Sequence, residues 1–101
     1  MKFLVEVRMC VQTFNAAVLD GSAGPKLQRI MEEIKPEVAY FVERDGVRTG
    51  TFIVEMKEAS ELPKFAEPFF LMFNAEVRCH PAMSPEDLMK ADLAAIAKKW
   101  S

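Results

Sequence analysis

Apolar and polar residues alternate in four segments of the chain, and a period of two is the pattern of a half-buried β-strand. The four segments are residues 2–9, 37–43, 48–56 and 73–80. In the first of them, Phe3, Val5 and Val7 share one side, and Glu6 and Arg8 share the other. We therefore predict four strands, each with one face turned towards a core.

The connections between these segments predict a hairpin and a helix. The second and third strands flank Asp45-Gly46, a pair typical of tight hairpin turns. Before them lies a helical stripe, with Pro25 in its first turn and Pro36 at its end. The stripe consists of Leu27, Ile30, Met31 and Ile34. Residues 13–20, ahead of this helix, allow a separate helical turn.

Two further helices are predicted, one before and one after the last strand. The earlier one begins near Ser60, and Pro68 either kinks it or ends it. Its buried residues are expected to be Leu62, Phe65 and Phe69. The later one has Ser84 as N-cap and Pro85 at its first position. Its apolar stripe is Met89, Leu93, Ile96 and Trp100.

The predicted order of elements is β-α-β-β-α-β-α. This order is that of an α+β, ferredoxin-like βαββαβ domain with an extra C-terminal helix. The four strands form an antiparallel sheet in the spatial order 4-1-3-2, with two helices packed on one face. No linker, repeat or low-complexity stretch divides the sequence, so we expect residues 1–101 to form one domain.

The sheet face turned away from the helices, here called the open face, is expected to mix charged and apolar residues. Its predicted members are Leu4, Glu6, Arg8, Phe41, Glu43, Thr49, Thr51, Ile53, Asn74, Glu76, Arg78 and His80. Pairing Glu6 with Arg78, and Arg8 with Glu76, brings opposite charges together across the first and last strands. The alternative register sets Glu6 against Glu76, so we predict the first.

Two interpretations of the open face follow. It is either a solvated charge ladder or the surface on which a second copy packs, making a barrel with a polar interior. A two-fold contact suits the second interpretation, because each copy offers Glu to Arg and Arg to Glu. The predicted interface of this homodimer, which a higher oligomer could also use, is Leu4, Glu6, Arg8, Phe41, Thr51, Ile53, Glu76 and Arg78.

The element order resembles the dimeric α+β barrel superfamily of ferredoxin-like domains. Locally, "EPFFLMFNAEVRCHP" (residues 67–81) is similar to the end of muconolactone isomerases, where a Pro-aromatic segment leads through the last strand to a Cys/His/Pro cluster. The "DGSAGPKLQRIMEEIKPE" segment and the long last helix depart from those enzymes. As a whole, the chain resembles an uncharacterised bacterial family of this superfamily.

Composition and charge exclude several classes of protein. The net charge of −2 and pI near 5.4 argue against nucleic acid or an anionic membrane as partner. No apolar run is long enough to span a bilayer, and the N-terminus has no signal-peptide pattern. Two cysteines and seven methionines suit a reducing compartment, so a cytoplasmic location is expected.

His80, the only histidine, is the candidate for acid–base chemistry, since it is expected at the open face opposite Leu4. A strand-end histidine that bonds only water is the simpler interpretation. Neither cysteine is expected to act as a nucleophile or to form a disulfide within the chain, and no metal or cofactor is predicted, because no Cys/His spacing fits a metal site. A ligand pocket between sheet and helices is expected to use Arg8, Arg78, Glu76, Tyr40, Phe65 and Phe69.

These observations lead to one preferred function and two alternatives. The preferred one is a homodimeric domain that binds a small organic or aromatic metabolite, and it includes a cofactor-free isomerase that uses His80 as base and Arg8 or Arg78 to steady negative charge. The first alternative is a non-catalytic structural or interaction domain that dimerises through the open face. The second, by superfamily analogy alone, is a cofactor-free monooxygenase. Whether the chain is an enzyme at all stays open.

Overall fold

The computed structural model describes residues 1–101 and contains four strands, five α-helices and one short 3₁₀ turn. The strands are β1 (Lys2–Arg8), β2 (Val38–Arg44), β3 (Val47–Glu55) and β4 (Glu76–Ala82). The helices are α1 (Val11–Leu19), α2 (Ala23–Ile34), α3 (Leu62–Phe73), α4 (Pro85–Lys90) and α5 (Leu93–Lys99), and the 3₁₀ turn (Ala59–Glu61) leads into α3.

The predicted fold class and sheet topology are confirmed. The four strands pair antiparallel in the order β2-β3-β1-β4, which is the predicted order counted from the other edge. Asp45 and Gly46 form the turn between β2 and β3, and both have positive φ angles, of 54° and 77°. The architecture is therefore α+β and ferredoxin-like, with additional helical structure after the last strand.

The core lies between the sheet and the helices α1, α2 and α3. Phe52 on β3 is fully buried, and its ring stacks on Phe69 of α3 with 5.5 Å between the ring centroids. Phe14 of α1 stacks on Phe73 at the end of α3, at 5.0 Å. β1 adds Val5 and the neighbouring apolar positions to the same layer. The alternation in β1 therefore predicted its buried face correctly.

The helix α3 continues past its internal proline. Pro68 removes one backbone donor, yet the helix runs on to Phe73, so of the two predicted alternatives, a kink or an end at Pro68, the end is wrong. Asn74 then stops it in the left-handed conformation, with φ of 49°. β4 consequently begins at Glu76 and not at Phe73, which belongs to the helix. Leu62, predicted to be buried, is exposed at the first position of α3.

The strand β2 has the opposite orientation to the predicted one. Phe41 pairs with Gly50, a position on the helix side of β3, and its ring meets Phe52 edge-on at 5.7 Å. Phe41 and Glu43 therefore lie on the helix side and not on the open face, whereas Tyr40 lies on the open face. The error arose because residues 38–42 are all apolar, so alternation alone could not distinguish the two sides.

The chain after β4 forms two helices where one was predicted. Asp92 adopts the left-handed conformation, with φ of 54°, and separates α4 from α5, which it caps through a hydrogen bond from the Ala95 backbone N–H. Every residue from Pro85 onwards is exposed, including the predicted stripe. The molecule is accordingly elongated, with extents of 59 × 28 × 19 Å. We call residues 84–101 the C-terminal arm.

None of the helices combines the length and the apolar character needed to cross a membrane.

Candidate functional site

The open face has the register that the charge pattern predicted. Across β1 and β4, Glu6 lies opposite Arg78 and Arg8 lies opposite Glu76. No helix covers this face, which also carries three apolar side chains of β2 that are 42–67% exposed, namely Val38, Tyr40 and Val42. The open face is thus an uncovered, mixed surface that spans all four strands.

The ion pair on this face is not one of the predicted ones. Glu6 Oε2 lies 3.5 Å from Arg44 Nη2, whereas Arg8, Glu76 and Arg78 take part in none of the three ion pairs of the structure. By register, Glu6 lies opposite Thr51 and Arg44 opposite Val47. The ion pair therefore passes over Thr49, which explains why this threonine is only 2% exposed on an otherwise open surface.

His80 lies on the open face, opposite Leu4, as predicted. Its side chain is exposed and makes no hydrogen bond, and no carboxylate lies within ion-pair distance of it. A histidine that acts as a general base is usually oriented by a second group. The structure shows no such group beside His80.

The sheet separates the six predicted ligand-binding residues into two sets. Arg8, Glu76, Arg78 and Tyr40 lie on the open face, whereas Phe65 and Phe69 lie on the helix side, 3% and 0% exposed. Phe69 fills the space between α3 and β3, where the pocket was expected. These six residues therefore do not line one pocket.

A recess that the sequence did not predict lies on the helix side, near the hairpin end of β2 and β3. Its volume is about 420 Å³, within the range of small-molecule sites. The residues that line it come from the segment after β1, from α1 and α2 and from the hairpin strands, namely Met9, Phe14, Leu27, Phe41, Val42, Glu43, Arg48 and Thr49. Most of the lining is apolar, and the polar groups are few.

Arg48 is the fixed cation of this recess. Its Nη1 donates a hydrogen bond to Asn15 Oδ1 at 2.7 Å, and its guanidinium lies 4.8 Å from the centre of the Phe14 ring. Glu43, directly across the strands, accepts a hydrogen bond from the Gly46 backbone N–H at 2.9 Å and forms no ion pair with Arg48. The guanidinium therefore keeps donors free for an anion.

The sequence contained a signal for this site, because Arg48 interrupts an apolar side of β3. Counting back by twos from Val54 and Phe52 through Gly50 places Arg48 on the covered side. A charged residue on the covered side of a sheet needs a hydrogen-bonding or oppositely charged partner at the rim of the core. The missing information was the true orientation of β2, which brings Phe41 beside Arg48.

The two cysteines differ in their surroundings. The Thr13 hydroxyl donates to the Cys10 sulfur and, with nearby backbone N–H groups, lowers the pKa of this thiol. Burial raises the pKa of the Cys79 thiol, which packs against the core as predicted. Both are free, and Cys79 lies opposite Val5, five residues along β1 from Cys10. No group of three or more metal-ligating side chains is assembled anywhere in the chain.

Comparison with known proteins adds an architectural likeness. No protein-family model matches the sequence, and no curated protein matches it. Among solved structures, the de novo designed protein Ferredog-Diesel is similar to 80% of this chain over 85% of its own length, with a TM-score of 0.46 and 14% sequence identity. A likeness at this level carries no conclusion about function.

Proposed function

We propose that this chain is a homodimeric α+β domain that binds a small organic acid, with an apolar or aromatic body, in the recess around Arg48. The observation that carries the proposal is a guanidinium, fixed by Asn15 and Phe14, at the edge of an apolar recess of about 420 Å³. The expected small organic ligand is kept, and the six residues expected to bind it are replaced by those around Arg48.

The chemistry of the lining selects the ligand. Phe14, Leu27 and Phe41 offer apolar contact to the body of a small molecule. Arg48 offers a planar pair of N–H donors, which matches a carboxylate better than a single neutral acceptor. Charge-assisted hydrogen bonds contribute more than neutral ones, so a carboxylate is favoured over its amide.

The experiment is calorimetric titration with benzoate, phenylacetate and indole-3-acetate, each compared with its neutral amide. We expect the carboxylates to bind and Arg48→Gln to weaken them about 10- to 100-fold, because a charge-assisted hydrogen bond is lost. Arg29→Gln is the matched control, since Arg29 lies in the groove between α2 and α3. Equal binding of acid and amide, or unchanged binding by Arg48→Gln, would contradict the proposal.

The dimer is supported by the open face. Four strands present a surface on which apolar β2 residues and reciprocal Glu and Arg positions lie together, and a two-fold contact satisfies such a surface. The resemblance to dimeric α+β barrels agrees with this arrangement. A native mass spectrum tests it directly, because a dimer has twice the chain mass of 11.4 kDa and a retained ligand would add its own mass.

The second candidate is a structural domain that dimerises and binds nothing. It is favoured by the tight filling of the space between sheet and helices, where Phe52 and Phe69 are both 0% exposed. Failure of every acid in the panel, with a stable dimer, would favour this candidate. Isomerase chemistry at His80 has less support, because His80 lies on the opposite side of the sheet from the recess.

A further inference from the structure

We infer that the C-terminal arm docks on a second copy of this chain and lies along the partner's β2. The inference rests on the proposed dimer and extends it, because it assigns a role to residues outside the expected interface. Every residue of the arm from Pro85 onwards is exposed on its own chain, and β2 is exposed at all seven of its residues.

The arm carries an apolar side that nothing covers. Met89, Leu93, Ile96 and Trp100 are 79%, 58%, 47% and 82% exposed. In α5, the positions 93, 96 and 100 follow the helical spacing of a buried stripe. Both helices also have N-terminal caps: Ser84 and Asp87 form a capping box at α4, and Asp92 caps α5. An ordered helix with an apolar stripe requires a surface to cover it.

The shape of the molecule excludes the chain's own core as that surface. The radius of gyration is 16.9 Å, whereas a compact domain of this length has about 13 Å. The arm thus projects from the end of β4 and does not fold back on the helices. A second copy of the chain can supply the covering surface that the arm does not find on its own chain.

The partner's β2 fits the arm in size and character. The 13 helical residues of α4 and α5 extend about 20 Å, and the seven residues of β2 extend about 23 Å. On the open face, β2 presents Val38, Tyr40 and Val42, all exposed. It is also an edge strand, and such strands are usually covered or protected by charge.

The charges at the ends of the two segments are complementary. The arm begins with Glu86 and Asp87 and ends with Lys98 and Lys99. β2 ends at Arg44 and is preceded by Glu37. Within its own chain, Arg44 lies 3.5 Å from Glu6, and Glu37 pairs with Lys2. If the arm runs antiparallel to the partner's β2, its acidic residues lie near Arg44 and its basic residues near Glu37, so each end of the arm adds an opposite charge to one of these exposed pairs.

The arm contributes a substantial part of the contact area of a stable dimer when both copies exchange arms. Trp100 and Tyr40 each expose on the order of 150 Å² of ring surface. With the aliphatic residues of the stripe and of β2, the arm contact supplies a large part of the roughly 800 Å² that each partner buries in a standard stable interface. The open faces of β1, β3 and β4 are left to supply the remainder.

Trp100 allows a direct test, because it is the only tryptophan in the sequence. We expect acrylamide to quench its fluorescence poorly when the protein is dimeric and efficiently after dilution to monomer. Ile96→Asp should expose Trp100 and weaken the dimer about tenfold or more. Ala95→Asp is the matched control, because position 95 lies on the far side of α5 from Trp100 and its backbone N–H still meets Asp92.

The outcomes separate the arm from the dimer. A dimer in which Trp100 is freely quenched overturns the arm docking and leaves the dimer intact. A monomer in which Trp100 is protected at every concentration shows that the arm folds on its own chain, and a monomer with an exposed Trp100 removes both proposals. Equal effects of Ile96→Asp and Ala95→Asp also overturn the docking. Tyr40→Asp should also weaken the dimer, and at a concentration at which this variant is still dimeric it should expose Trp100; protection that persists there would remove β2 as the receiving surface.

Discussion

The two faces of the sheet are built from the same strands, but one face is buried against helices and the other is left uncovered. On the covered face, Val5, Val7, Phe52 and Val54 are each at most 1% exposed and pack against α1, α2 and α3. On the open face, the alternate residues of the same strands are charged, polar or partly exposed. The comparison teaches that stability is concentrated on one face, which leaves the other free for association.

The largest effect should come from the covered face. Phe69→Ala removes a ring that is fully buried and stacked on Phe52, so we expect a loss of about 3–5 kcal/mol in the free energy of unfolding. The measurement is urea denaturation at a concentration at which the protein is monomeric. Ile96→Ala in the arm is the control, and it should change stability by no more than about 0.5 kcal/mol. A comparable loss in both variants would show that the arm is packed within its own chain.

A smaller effect is expected at Gly50, where the covered face leaves no room for a side chain. A Cβ at this position would lie 2.6 Å from Phe52 Cζ and 3.5 Å from Phe41 Cε1. Because Phe52 is held between Phe41 and Phe69, Gly50→Ala should cost about 1–3 kcal/mol in thermal or urea unfolding.

Gly24→Ala is the matched control for that substitution. Gly24 lies in α2, its φ is not positive, and an added Cβ would meet nothing within 4 Å apart from its chain neighbours. Alanine there should change the free energy of unfolding by no more than about 1 kcal/mol, because the restriction of the unfolded chain opposes the crowding of the new Cβ against the ring of Pro25. If Gly50→Ala were equally harmless, the Phe52 ring would have more freedom than the structure shows.

The smallest effect on folding should come from the open face. Glu6→Lys removes the exposed ion pair with Arg44, and such pairs contribute at most about 1 kcal/mol. Association should respond more strongly, since the substitution places a third cation near Arg44 and Arg78 and should weaken the dimer about tenfold, as measured by sedimentation equilibrium. Glu32→Lys on the exposed side of α2 makes the same change in charge. A dimer equally stable in both variants would remove the open face from the interface.

Sequence patterns predicted the sheet well wherever charge and apolarity alternated. The register of β1 and β4 followed from two Glu and two Arg residues, because only one pairing brings opposite charges together. The sequence pattern did not predict the orientation of β2, where five consecutive apolar residues permit either side to face the core. There the two-residue turn decided the outcome, since the pairing of Arg44 with Val47 fixes every pair beyond it.

The candidate site depended on that same orientation. With Phe41 on the covered side, the recess forms next to Arg48, and Tyr40 moves to the open face. The sequence shows each lining residue, but it does not show which residues from the other elements lie next to it in space. A site whose lining comes from the segment after β1, from α1 and α2 and from the hairpin cannot be assembled from local periodicity.

The sequence by itself determined the order of elements, the hairpin turn, the buried face of β1 and the charge register, because each depends on residues close in the chain or on a pattern of period two. The orientation of β2 followed from the register of the Asp45-Gly46 turn, whereas tertiary structure decided the persistence of α3 beyond Pro68 and the exposure of the C-terminal arm. These depend on which surfaces are available for packing. An apolar stripe states that a helix needs a covering surface, and only the folded chain shows that its own core is already full.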